Sequence, residues 1–114
     1  MRSYDSKGDV ITFQIAEADY DKYPAGDLNV AIGDFTGITE GPVDTLDGML
    51  NVAVSCVYNR TVTNAGAEDV SNVAVYLADD GSLTTDNAAG PEFGKMIGTV
   101  AAGDTADVRV RLNG

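Results

Sequence analysis

Five short segments of this 114-residue chain alternate apolar and other residues with a period of two: 10–15, 28–32, 50–56, 73–77 and 107–112. An extended strand turns successive side chains to opposite faces, so this period predicts strands with one buried face. The segments are rich in the β-branched residues that favour strands. The chain is therefore predicted to be an all-β protein.

Glycine separates these segments, and four Gly-Asp pairs occur, at 8–9, 26–27, 33–34 and 103–104. Asp80-Gly81 lies between two apolar runs, which predicts a β-hairpin at that point. Strands spaced about 8–12 residues apart are typical of a small β-barrel or sandwich. We expect one β domain over residues 9–114, preceded by a flexible N-terminal arm at residues 1–8.

Helix is predicted only as one or two short turns. Residues 17–23 end at Pro24, which cannot continue a helix, and residues 67–70 form the second candidate. Neither segment is long enough for an independent amphipathic helix.

Charge argues against several classes of partner. Eighteen acidic side chains face seven basic ones, giving a net charge of −11. Nucleic acids are bound through clustered Lys and Arg, and anionic lipid attracts the same residues, so neither is an expected partner. No apolar run approaches the roughly 18–20 residues of a membrane span. The first residues lack the apolar core of a secretory signal, so we expect no export by that route.

No catalytic or cofactor motif is complete. The chain has no histidine, which excludes imidazole catalysis and His-ligated metals. Residues 90–96 approach a phosphate-binding loop but are one residue short and place Met96 where a hydroxyl belongs, so we interpret them as a Gly/Pro loop leading into a strand at 96–101. Cys56 shares a face with Val52 and Val54 and is interpreted as a core residue. We expect a protein that is not an enzyme and has no cofactor, with its carboxylates in solvated turns and no located calcium site.

Three tyrosines lie outside the predicted strands: Tyr4, Tyr20 and Tyr23. Tyrosine is enriched at protein interfaces, which makes these residues candidates for partner contact. The alternative is that they cover the ends of the barrel. The sequence leaves both interpretations open.

Several segments, taken in order, resemble a known family. They are residues 8–11, PAGDLNVAIGDFTGIT at 24–39, Val75-Tyr76 with the ADDGSLTT hairpin, 95–100, 102–104 and the terminal VRVRLNG. Together they resemble the small tailed-virus proteins once labelled "predicted recombinase, RecA/RadA family" and now regarded as capsid cement (decoration) proteins. The chain departs from that pattern at Cys56, where the family tends to have glycine, and over residues 59–72.

The resemblance implies a protein of the virion that is made in the host cytoplasm and binds the outer surface of an icosahedral head. Its partner would be the major capsid protein, and its function would be to bridge capsid subunits against internal pressure. Many weak contacts act together in such a shell through multivalency. The family also implies a homo-oligomer, with a trimer favoured.

Two parts of the chain are the candidate contacts for the capsid or a neighbouring subunit. One is the arm, with Arg2, Tyr4 and Lys7, which can add a strand to a sheet edge of the partner. The other is the last strand, where Arg109 and Arg111 share a face and suit an acidic surface. The alternative for the two arginines is the solvated face of an edge strand, where charge blocks aggregation.

The competing function is a non-enzymatic head-fibre module that binds a host or a sugar. Such a module normally stacks sugars on aromatic rings, and this chain has no Trp. A second hypothesis concerns the host: residues 9–108 hold seventeen acids and three bases. High salt makes such self-repulsion tolerable, so the composition is consistent with a hypersaline environment.

Overall fold

A computed structural model of the chain describes residues 10–112. In this range the regular elements are strands, apart from one 3-10 helix, Glu17–Lys22. The strands are β1 Val10–Gln14, β2 Asn29–Ile32, β3 Phe35–Thr39, β4 Met49–Ala53, β5 Val57–Thr63, β6 Val70–Ser71, β7 Ala74–Leu77, β8 Leu83–Thr84, β9 Glu92–Ile97, β10 Thr99–Val100 and β11 Thr105–Leu112. The predicted fold class, all-β with only short helical turns, is confirmed. The predicted arm, residues 1–8, lies outside the described residues.

Five strands close into a barrel in the order β11, β5, β8, β7 and β9, with β9 paired back to β11. Neighbours run antiparallel except β5 and β8, which pair in parallel. The barrel interior is apolar, and its most deeply buried residues include Val62, Val75, Phe93 and Val110. Of the two architectures left open by the sequence, the structure is the barrel.

The Asp80-Gly81 hairpin is confirmed as the connection between β7 and β8. Leu77 pairs with Leu83, and the N–H of Ala78 donates to the carbonyl oxygen of Ser82 at 2.9 Å. Gly81 has φ +87°, a conformation that favours glycine.

The remaining long strands form a four-stranded sheet in the order β1, β4, β3 and β2. One face of this sheet carries a second apolar core, centred on Leu50 and Val52. The 3-10 helix and two loops cover part of that face: Tyr20 lies in the helix, Tyr23 directly after it, and Val43 in the loop between β3 and β4. We call β1–β4 with this helix the sheet lobe, and the closed five-stranded unit the barrel.

The sheet lobe packs against the barrel through its other face. Ile38 of β3 is buried in the barrel core, and the Nδ2 of Asn29 donates to the carbonyl oxygen of Gly81 at 3.0 Å. The molecule measures 47 × 33 × 20 Å. Two lobes with separate apolar cores thus lie side by side in an elongated body.

The interpretation of Cys56 as a core residue on one strand with Val52 is wrong. β4 ends at Ala53, and the chain turns towards the barrel before β5 begins at Val57. Cys56 lies in that turn at φ +87° and is only half-buried. A positive φ breaks the extended geometry, so the period of two does not continue through this residue.

Two other local predictions are also wrong. Residues 67–70 form no helical turn, because Asn64 organises this loop: its Nδ2 donates to the carbonyl oxygen of Glu68 at 2.8 Å, and its Oδ1 accepts from the N–H of Gly66 at 2.9 Å. The strand expected at 96–101 begins earlier, with β9 starting at Glu92 and ending at Ile97. Gly98, with φ +137°, separates it from β10.

Candidate binding surface

The outer face of the barrel brings Arg109 and Arg111 together. Both lie on β11, where Val110 between them points into the barrel and is fully buried. The strand pairing places Arg111 opposite Val57 of β5 on one side and Lys95 of β9 on the other. Arg109 lies opposite Ile97 of β9. Because opposite residues share a face, these side chains form one surface, which we call the outer patch: Val57, Lys95, Ile97, Arg109 and Arg111.

The outer patch combines exposed aliphatic groups with positive charge. Val57 is 39% exposed and Ile97 is 38% exposed, although both are large aliphatic residues. Among residues 10–112, no carboxylate lies within 4 Å of either patch guanidinium, whereas the Nζ of Lys95 lies 3.2 Å from Glu92 Oε2. The patch therefore offers two uncompensated guanidinium groups beside apolar surface, in a chain whose net charge is −11.

The remainder of the same barrel face has a different character. Thr61 Oγ1 donates to Asp107 Oδ1 at 2.6 Å, and the hydroxyls of Thr63 and Thr105 are 2.9 Å apart. These polar groups satisfy one another between β5 and β11. Along the strands, this face thus changes from a polar part, whose side chains bond to one another around Asp107, to the basic and apolar outer patch.

The structure rejects one alternative for the two arginines. β11 pairs with β5 on one side and with β9 on the other, so it is not an edge strand. Protection of an open edge is therefore not the reason for charge at Arg109 and Arg111. The other three predicted contact residues, Arg2, Tyr4 and Lys7, lie outside the part of the chain that the structure describes.

Tyr20 and Tyr23 have a structural role, since they cover apolar surface of this chain. Both are half-buried and pack against the sheet-lobe core. Tyr20 lies in the 3-10 helix, and the N–H of Tyr23 donates to the carbonyl oxygen of Tyr20 at 3.3 Å. They cover the face of the sheet rather than the end of the barrel.

Sequence reasoning missed three members of the outer patch: Val57, Lys95 and Ile97. Val57 is forty residues from Ile97, and only the barrel closure places both beside β11. The available signal was the alternation in β9, where exposed Lys95 and Ile97 flank buried Met96. That alternation indicates a surface but not its neighbours.

Arg60 marks a second polar region, at the junction of the barrel and the sheet lobe. Its Nε donates to Asn29 Oδ1 at 2.8 Å, and two further donors reach the side chain and the carbonyl oxygen of Asp27 at 2.6 and 2.9 Å. A groove of about 530 Å³ lies over this junction, with Asn59 and Asp107 also in its wall. The guanidinium is already bonded to the protein, so its chemistry here is structural.

Residues 10–112 hold neither a metal-binding cluster of side chains nor a membrane-spanning helix. No group of three or more Cys, Asp or Glu side chains there is arranged to hold a metal ion. No helix in that range has the length and apolar character needed to cross a membrane.

Comparison with known protein families, with curated proteins and with solved structures finds no match to this chain. The outer patch and the two-lobed fold are therefore the observations from which a function can be argued.

Proposed function

We propose that this protein is a capsid decoration (cement) protein that binds the outer surface of an icosahedral virus head and stabilises it by bridging capsid subunits. The observation that carries the proposal is the outer patch, where Arg109 and Arg111 lie beside exposed Val57 and Ile97 and have no carboxylate of residues 10–112 within 4 Å. The order and spacing of the family-like segments support the same function. The proposed partner is the major capsid protein, and copies of the chain associate as a homo-oligomer, with a trimer favoured.

Binding at the outer patch has two physical components. Val57 and Ile97 bury exposed apolar area against the capsid, and this burial stabilises the complex by about 25 cal/mol per Å². Arg109 and Arg111 meet acidic groups, which sets orientation and rejects other basic surfaces. Each contact is weak, and many copies around one head make the shell difficult to open. The arm residues Arg2, Tyr4 and Lys7 are proposed as a further contact.

The second candidate function is a head-fibre module that binds a host surface or a sugar. The polar groove at Asn29, Asn59 and Asp107 supplies the hydrogen-bonding groups that a sugar needs. Among residues 10–112, no aromatic ring lines that groove, so this part of the chain supplies no stacking platform there. Copy number separates the two functions, because a cement protein covers the head and a fibre tip occurs at few positions.

The variant Arg111→Glu tests the proposal by sedimentation with undecorated heads of the virus that encodes the chain. Reversing one patch charge is expected to weaken binding by about tenfold or more, through lost attraction and new like-charge contact. The fold should be retained, because exposed substitutions away from special features change stability by less than about 0.5 kcal/mol.

Lys22→Glu is the matched control, since it makes the same change of charge on the sheet lobe. The hydrogen bond and the charge of Asp19 raise the pKa of Lys22, which is therefore a cation at neutral pH like the arginine. Its binding should remain within about twofold of the wild type. Equal loss in both variants would mean that net charge matters and the outer patch does not, which contradicts the proposal.

A further inference from the structure

The outer edge of β1 is a second surface that can bind a partner, through its backbone hydrogen-bonding groups. β1 is one of the two edges of the four-stranded sheet, and the other edge, β2, contacts the barrel at Asn29. On that side Asn29 of β2 bonds both to Gly81 and to Arg60. Within residues 10–112, β1 is the sheet edge with no strand or barrel contact along its outer side.

The hydrogen-bond register shows which backbone groups of β1 point outward. The N–H of Ile15 donates to the carbonyl oxygen of Gly48 at 2.8 Å, next to the pair formed by Gln14 and Met49. In an antiparallel ladder, residues bonded to the partner strand alternate with residues whose N–H and C=O point away. Thr12 and Gln14 therefore direct their backbone groups to the open edge. Among residues 10–112, no group accepts a hydrogen bond from either of these N–H groups.

The strand β1 itself carries no feature that normally blocks strand pairing. Val10–Gln14 contains no proline and no charged side chain, and its five residues pair with β4 in unbroken register. The polar side chains are held by neighbours: Thr12 Oγ1 donates to Asn51 Oδ1 at 2.6 Å, and Gln14 Nε2 donates to the carbonyl oxygen of Asp47 at 2.8 Å. The strand is thus fixed in an extended form with its edge accessible.

The side chains beside this edge define what a fifth strand would meet. Phe13 is half-buried on the core face of the sheet, and its ring lies 5.5 Å from that of Phe35, which is 47% exposed. A strand added beside β1 would cover this apolar surface with every second side chain. The loop between β3 and β4 lies beside the C-terminal end of β1 and carries Asp44 and Asp47, whose carboxylates each accept one backbone N–H and stay exposed. These charges favour a basic segment.

We propose that the free edge of β1 accepts an extended segment of the capsid subunit as a fifth strand, with apolar residues facing Phe13 and Lys or Arg near the acidic loop. This inference rests on the proposed function and adds its mode of attachment. The β1 strand of a second copy fits the edge less well, because Val10–Gln14 has no basic side chain to meet Asp44 and Asp47. The β1 edge belongs to the sheet lobe and the outer patch to the barrel, so one molecule has two separate contact surfaces, as bridging requires.

Thr12→Pro and Thr12→Ala form a matched pair of variants for this edge. Both lose the Oγ1 bond to Asn51, but only proline removes the outward N–H and places a ring on the edge. β4 does not use that N–H, and proline is tolerated in edge strands when its nitrogen faces outward. Binding to undecorated heads should fall by about tenfold or more in Thr12→Pro and stay within about twofold of the wild type in Thr12→Ala.

Amide exchange of the wild-type protein gives a readout that needs no variant. The N–H groups of Thr12 and Gln14 should exchange more slowly on heads than in the free protein. Equal binding of both variants, or unchanged exchange at these amides, would overturn the inference while leaving the proposed function intact. A wild-type protein that does not bind heads would overturn both. If purified Thr12→Pro and the wild type sedimented differently in the absence of heads, the edge would bind a second copy of the chain. That result would overturn the inference that it binds a capsid segment.

Discussion

The barrel and the sheet lobe are built from the same kind of strand, but they differ in whether a sheet edge is left with unpaired backbone groups. The barrel closes through pairing of β9 with β11, so its main sheet has no free edge. Within residues 10–112 the sheet lobe is open at β1, where Thr12 and Gln14 direct backbone groups outward. The barrel therefore offers a partner only side chains such as that of Arg111, whereas the sheet lobe also offers backbone groups.

The two apolar cores differ in how completely they are enclosed. Phe93 and Val110 are fully buried in a barrel that encloses them on all sides. In the sheet lobe the helix and its loop cover Leu50, but Phe35 stays 47% exposed. We expect the barrel to set the stability of the whole chain and the sheet lobe to open more readily.

The largest predicted effect is that of Phe93→Ala in the barrel. Removal of this fully buried ring should lower the free energy of unfolding by about 3–5 kcal/mol. Both lobes should lose protection from amide exchange together, because Ile38 of the sheet lobe packs into the barrel core. Denaturant unfolding with exchange measured in both lobes tests this.

Leu50→Ala is the counterpart in the sheet lobe, at 1% exposure. It should cost about 2–5 kcal/mol locally and speed exchange in the sheet lobe, with the barrel amides unchanged. If Leu50→Ala exposed the barrel amides equally, the two lobes would be one cooperative unit and the comparison would fail.

An intermediate effect is predicted for Arg60→Met, which cuts the polar link between the lobes. The side chain of Arg60 is 11% exposed and bonds to Asn29, whereas its ion-pair partner Asp27 is 84% exposed. Loss of these charged hydrogen bonds should lower the free energy of unfolding by about 1–2 kcal/mol. Arg109→Met makes the same chemical change at an exposed site and should cost less than about 0.5 kcal/mol. Equal melting temperatures for the two variants would show that the link contributes nothing.

The smallest effect is predicted at the β7–β8 turn, in the variant Asp80→Asn. The Oγ and N–H of Ser82 donate to Asp80 Oδ1 at 2.6 and 3.0 Å, and these bonds hold the pKa of Asp80 below its usual value. A folded pKa below the unfolded one stabilises the fold above about pH 3.9, and this stabilisation is lost as the pH falls through the folded pKa.

Melting curves at several pH values measure that contribution. Asp80→Asn should melt slightly below the wild type at pH 7, and the two curves should converge in strong acid. Asp79→Asn removes the same charge one residue away and serves as the control. A difference between Asp80→Asn and the wild type that persists at every pH would mean that the side-chain shape matters and its ionisation does not.

The sequence predicted the features that local chemistry determines. Alternation located β1 and β11 to within a few residues, and Asp80-Gly81 located a hairpin, because a strand and a tight turn each depend on a few adjacent residues. The same reasoning placed Arg109 and Arg111 on one face. The 3-10 helix before Pro24 followed from the same local rules.

Features that depend on distant segments were not predictable in this way. In the sequence, Cys56 continues the apolar alternation of β4, but the chain has left the sheet at this point and turns towards the barrel. Val57 and Ile97 become neighbours of Arg111 and Arg109 only after the barrel closes. The outer patch and the open edge of β1 are both products of topology, which the period of two does not determine.

A density map of the virus head with and without this protein tests the central claim most directly. The account predicts added density for a 47 × 33 × 20 Å body at many equivalent positions on the outer head surface. In that density the outer patch should face one capsid subunit, and the β1 edge should carry an added strand from another. Heads without added density, or bound copies whose outer patch faces solvent, would contradict the account.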